Sequence, residues 1–200
     1  MNPKIRHILE AEAAAILNIP TDNDFEKVVD VLFRYVHQEH GKVITSGLGK
    51  AGQVALNLAS TLSATGTPSV FLHPSEAQHG DLGMLHHHDP IILVSNSGKT
   101  RELLELITLT RNLHGENPII VITGNKESPL AQAADVTLFT GGPEEICPLN
   151  LTPTTSITVM LVIGHILTTM LIEKTGFTRE GFFKRHHGGY LGSLLKNDSL

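Results

Sequence analysis

Lys42-Val43-Ile44-Thr45-Ser46-Gly47-Leu48-Gly49-Lys50-Ala51-Gly52 decides how this chain reads. A short β-branched run breaks off in glycines, so the residues up to Ser46 form a buried strand and those from Gly47 a tight turn. A helix follows from about Gly52 to Thr65. The phrase then repeats. Ser69 to Leu72, Ile91 to Val94 after Pro90, Ile119 to Ile122 after Pro118, and Val136 to Phe139 read as further short strands. Helical spacing separates them, from Arg101 to Leu113 with a broad leucine and isoleucine face, and around Leu130 to Ala134. Short apolar strands alternating with helices imply an α/β fold, a doubly wound five-stranded parallel sheet flanked by helices.

Working outward, Ile5 to Leu17 and Phe25 to His37 carry apolar residues at helical spacing around Pro20 and the capping residues Thr21, Asp22 and Asn23, and Gly41 closes the second helix. A long final helix runs from Thr155 to Lys174, and a polar, glycine-marked tail follows it from Gly181 to Gly192. With 200 residues and no linker or repeat, one domain is expected: helices over 1–40, an α/β core over 41–175 and a tail over 176–200.

Composition excludes several classes. Forty per cent hydrophobic residues against 18% charged rule out disorder as the main state. Lys and Arg number 15 against 20 Asp and Glu, without a concentrated basic run, so nucleic acid is not an expected partner. The single cysteine, Cys147, has no partner for an internal disulfide, which fits a reducing compartment. The N-terminus lacks a secretion signal, and the apolar stretch from Ile157 to Ile172 falls short of the roughly 20 residues that cross a bilayer. The expectation is a cytoplasmic protein with no membrane partner.

Ligands of such sheets bind beyond the carboxyl ends of the strands. The turn Ser95-Asn96-Ser97-Gly98-Lys99-Thr100 gathers three hydroxyls and several amides at the start of a helix, chemistry that suits a phosphate dianion better than simple capping. Gly47-Leu48-Gly49-Lys50-Ala51-Gly52 has dinucleotide-fingerprint spacing, yet Leu72-His73 stand where an acidic residue belongs, and Lys50 is not followed by Ser or Thr as a Walker lysine would be. A small phosphorylated ligand is favoured over a nucleotide. In the loop from His73 to Gly83, Glu76, His79 and Asp81 are candidates for a substrate or catalytic role. Adjacent His86, His87 and His88 diverge on a turn, so no metal is assigned.

The segments GKVITSGLGKAGQVALNLASTLSATGTPSVFLHPSEAQHGDLGML, VSNSGKTRELLEL, CPLNLTPTTS and GFTREGFFKRHHGGYLG together resemble the sugar isomerase (SIS) domain of the arabinose 5-phosphate isomerase family, over roughly residues 40 to 195. The resemblance implies interconversion of D-ribulose 5-phosphate and D-arabinose 5-phosphate, which feeds Kdo synthesis for lipopolysaccharide or capsule. It implies Lys50, His79, Glu102, Glu145 and His186 as active-site residues, and Ser95, Ser97 and Thr100 as phosphate-binding hydroxyls. Ser46, Gly47, Gly49, Asn96 and His187 complete the expected substrate-binding set. Three positions depart from the family pattern: Lys99 replaces Glu, His187 replaces Pro in the terminal motif, and His165 replaces Asp. The longer members append a CBS pair, which is expected to be missing from a chain ending at Leu200.

Aldose–ketose isomerisation moves a proton between C1 and C2 through a cis-enediol and requires no redox cofactor. Imidazole, with a free pKa of ~6.5, or a carboxylate suits the proton transfer, while a lysine suits a developing oxyanion. The expected roles are proton transfer by His186 or Glu145, charge stabilisation by Lys50, and sugar opening or positioning by His79 with Glu102. By family analogy a homo-oligomer is expected, a tetramer in which His79 or His186 reaches a neighbouring site, with CMP-Kdo as a feedback inhibitor at the cleft. The alternatives are a non-catalytic sugar-phosphate sensor or an isomerase for another phosphosugar.

Overall fold

The computed structural model describes residues 2–188. Five parallel strands, β1 (Val43–Gly47), β2 (Ser69–Phe71), β3 (Ile91–Val94), β4 (Ile119–Thr123) and β5 (Val136–Phe139), form one sheet in the order β2-β1-β3-β4-β5. Their alternating side chains feed two cores. Val43, Ile92, Val94, Ile120 and Ile122 face α1 (Pro3–Leu17), α2 (Phe25–Leu32), α3 (Gly49–Ala64) and α7 (Thr155–Thr175). Ile44, Ile91, Leu93, Ile119 and Val121 face α4 (Pro74–Ala77) and α5 (Arg101–Leu113), with Leu130 of α6 (Pro129–Ala133) in the same cluster. Both faces are covered, which is why the strands read as continuous apolar runs.

At the amino edge of the sheet the carboxylate of Asp89, 1% exposed, accepts from the Lys42 amide (2.8 Å), the Lys42 ammonium (2.5 Å) and the His86 amide (2.8 Å). This fixes where β1 and β3 enter. Asp89→Ala leaves those donors unpaired and is expected to destabilise the fold by about 2–3 kcal/mol, read as a lower melting temperature.

Several boundaries differ from expectation. The helix after β1 begins at Gly49 rather than Gly52, because β1 and α3 approach so closely that a Cβ on Gly52 would lie 2.7 Å from the Gly47 carbonyl oxygen. The second helix turns into a π-helix over Phe33–Gln38. The loop expected after β2 contains α4, started by Pro74, and a 3₁₀ turn over Asp81–Met84. The apolar stretch expected to be too short for a bilayer lies in a 21-residue helix, long and apolar enough by length and composition. Here it is the central core helix: Val159, Met160, Ile163 and Leu167 are 0% exposed. A short α8 (Arg179–Phe183) follows it, and residues 189–200 of the expected tail lie outside the described residues.

Candidate active site

Strand order reverses between β1 and β3, and the turns that leave these two strands open a cleft there. Its volume is about 370 Å³, and its walls include Lys50, Ser95, Asn96, Ser97, Thr100 and Glu145. Six expected site residues, from three separate segments, thus meet in one place.

In the 95–100 turn, Ser95 Oγ lies 2.9 Å from Thr100 Oγ1 and accepts the Gly98 amide at 3.2 Å, while Ser97 Oγ accepts the Lys99 amide at 3.2 Å. Thr100 occupies the N-cap of α5, yet its hydroxyl does not cap the helix. The amino end of a 13-residue helix therefore faces the cleft without a side-chain cap, a favourable seat for an anion. Gly98 makes the turn possible. Its φ is 62°, and a Cβ there would lie 2.0 Å from Ser128 Oγ. Gly98→Ala is expected to cost about 2–3 kcal/mol through strain and overpacking and to shift the neighbouring hydroxyls, seen as a fall in melting temperature.

Glu145 arrives on the loop after β5. Its Oε2 accepts the Thr154 amide at 2.7 Å, the Thr154 hydroxyl at 3.0 Å and the Ser156 amide at 3.3 Å. It thereby caps α7 from outside, since Thr154 at the N-cap makes no side-chain cap of its own. Burial pushes the carboxyl upward, but the contributions of Ser156 and Thr154 outweigh it and hold the pKa below the ordinary glutamate value. Asn150, at φ 49°, accepts the Glu145 amide on Oδ1 at 2.9 Å. Cys147 shapes the same loop. Its Sγ accepts the Leu151 and Thr152 amides at 3.3 and 3.2 Å, and the Leu151 bond leads in lowering the thiol to about 7.

Other expected residues lie elsewhere. Ser46 is fully buried, and its hydroxyl donates to the carbonyl of Leu72, just beyond β2, at 2.6 Å, which ties β1 to its neighbour; it does not line the cleft. Gly47 ends β1 and Gly49 starts α3, which places the backbone of the turn beside the cleft. Half-buried Glu102 lies in the first turn of α5, two residues beyond Thr100. His79 is exposed just after α4, which Gln78 ties to Glu105 of α5 at 2.7 Å. Lys99 and His165 are exposed and do not line the cleft. Among the described residues no three His, Cys, Asp or Glu side chains converge as a metal site.

His186 is not among the residues that line the cleft. Helix α7 starts beside the cleft and its 21 residues carry the chain away from it by roughly 30 Å, at 1.5 Å per residue. Phe177 then packs on Gly66 below α3, and Gly181 packs on Phe177. His186 stacks on Phe182 with ring centroids 3.7 Å apart, and exposed His187 follows it. Neither reaches the cleft of its own chain.

Compared with known proteins, residues 36–170 match the model of the SIS domain family. This chain belongs to the SIS domain family. Arabinose 5-phosphate isomerase KdsD of Pseudomonas aeruginosa is 45% identical over 94% of this chain and 56% of the relative. The SIS domain chain thus spans about half the length of the curated relatives it matches. A Bacteroides fragilis protein ascribed to phosphosugar isomerisation in capsule formation superposes with a TM-score of 0.91 at 56% identity, covering 93% of this chain and 97% of that one. An Escherichia coli CFT073 protein, c3406, solved in complex with arabinose 5-phosphate, superposes with a TM-score of 0.80 at 35% identity, over 91% of this SIS domain chain and 97% of that one.

Sequence reading missed Asn150 and Ser156, which line the cleft, and Thr154, which holds the Glu145 carboxylate. A run of Thr, Pro and Ser before a helix reads as ordinary capping, and nothing in it announces a glutamate from nine residues upstream.

Proposed function

We propose that this chain is an aldose–ketose isomerase interconverting D-ribulose 5-phosphate and D-arabinose 5-phosphate through a cis-enediol. The observation that carries the reading is the meeting of the 95–100 turn, Lys50 and Glu145 in one cleft at the strand-order switch. The turn and the head of α5 hold the phosphate. The other end of a five-carbon chain then lies near Glu145, whose carboxylate form accepts a proton, and Lys50 stabilises the enediolate oxygen. Glu102 and His79 open or position the sugar. Support comes from relatives named arabinose 5-phosphate isomerase at 45% identity and from the arabinose 5-phosphate complex of a 35% identical protein. A sensor would need the hydroxyls but no ionised glutamate in the same cleft.

His186 joins this site from a second copy of the chain. Its absence from the lining of its own cleft, beyond a helix roughly 30 Å long that starts there, supports a shared site, and the protein works as a homo-oligomer, a tetramer. The reaction feeds Kdo synthesis for lipopolysaccharide or capsule in the cytoplasm. CMP-Kdo competes in the cleft as a feedback inhibitor, and an unchanged apparent KM in its presence would remove that part.

Incubating the protein with arabinose 5-phosphate in deuterated water tests the reaction. The expected result is ribulose 5-phosphate together with solvent deuterium at the exchanged carbon. Neither product nor exchange would leave only binding.

A further inference from the structure

We propose that Glu12, on α1, is a positioning residue for Glu145, acting through the hydroxyl of Thr155. This rests on the isomerase reading for what Glu145 does, though not for where it is held. Thr155 opens α7 and is 3% exposed. Its hydroxyl donates to Glu12 Oε1 at 2.9 Å and accepts the Ile146 amide at 3.1 Å. A hydroxyl has one proton, so committing it to the Glu12 carboxylate turns the lone pairs towards the amide. Ile146 directly follows Glu145, whose own amide donates to Asn150. The backbone on either side of Glu145 is thereby pinned, on one side by its own loop and on the other by a helix 143 positions away in sequence from Thr155.

Two observations show that this link does more than pack α1. Glu12 Oε2 is buried and has no partner, a costly arrangement that an apolar side chain of similar length would avoid. Behind the loop lies a cavity of about 330 Å³ lined by Ala11, Ala14 and Ala15 of α1 and by Thr140, Glu144 and Glu145. No large side chain of α1 fills that space, so hydrogen bonds locate the loop. The ionisable groups around it are Cys147 two residues on in the same loop, Glu144 in the same cavity, Lys50 across the cleft and Glu12 through Thr155.

The test uses the full chain with Glu12→Ala, Glu12→Gln and Thr155→Ala. Glu12→Ala is expected to lower kcat about tenfold to a hundredfold with KM within about twofold, the size of a small misplacement of a reacting group. Glu12→Gln keeps an acceptor oxygen and should restore most of kcat. Adding Glu12→Ala to Thr155→Ala should cost nothing further, because both remove one relay. Independently of turnover, carbon-13 NMR titration of the Glu145 carboxyl should move upward in Glu12→Ala and stay down in Glu12→Gln. An unmoved titration and wild-type kcat in Glu12→Ala would overturn the proposal. So would equal losses in the Ala and Gln variants that track melting temperature. A moved titration with unchanged kcat would uphold the positioning and instead remove Glu145 from the chemistry.

Discussion

Glu145→Gln is expected to lower kcat by at least a hundredfold, within the ~10²–10⁴-fold range that general acid–base catalysis supplies, while the protein stays folded. Glutamine preserves an acceptor oxygen for the Thr154 and Ser156 amides, so the cap of α7 survives at a cost of about 1 kcal/mol. What it loses is the ability to take a proton. The depressed pKa predicts the pH dependence of the proposed reaction in the unsubstituted protein: Glu145 is ionised at neutral pH, and the acid limb of kcat attributable to it lies below the ordinary glutamate value. The same shift adds stability that is present above the unfolded-state pKa and lost as pH falls through the folded one, a dependence the glutamine variant lacks. Steady-state kinetics and thermal melts on both proteins check the pair of expectations, and near-normal turnover in the variant would remove Glu145 from the reaction.

Mixing two inactive variants is expected to restore activity. Under the proposed shared site, built from the cleft of one copy and the tail of another, His186→Ala and Glu145→Gln damage different halves. In a mixed pair, the cleft of the His186→Ala chain receives the intact His186 of the Glu145→Gln chain, and one of the two sites is whole. Equal amounts refolded or co-expressed together should therefore reach about a quarter of parental activity, since about half the pairs are mixed and half their sites intact. Each variant alone stays at background. Absence of recovery in a mixture shown to contain hybrid oligomers would place His186 outside the neighbouring site.

The fold was legible because β1, β3 and β4 are short, largely β-branched runs that break off in Gly or Ser, and β3, α5 and β5 fall where the sequence pattern puts them. The 95–100 turn was legible for a related reason: its hydroxyls and amides are neighbours in sequence, so a local reading recovers their convergence. The start of α3 was not, because the close approach of Gly52 to the Gly47 carbonyl is a tertiary fact. The same holds for the burial of Ser46 under the Leu72 carbonyl and for the relay from Glu12 to Ile146, which joins segments that share no periodicity. The expectation that His186 works from a neighbouring copy came from resemblance, and within one chain His186 is not among the residues lining the cleft.

The most direct measurement is a crystal structure of the protein with arabinose 5-phosphate. The prediction is a phosphate seated on the hydroxyls of Ser95, Ser97 and Thr100 and the first amides of α5, with the carbonyl end of the sugar beside Glu145 and Lys50. A sugar phosphate bound elsewhere, with the 95–100 turn left to solvent, would contradict it.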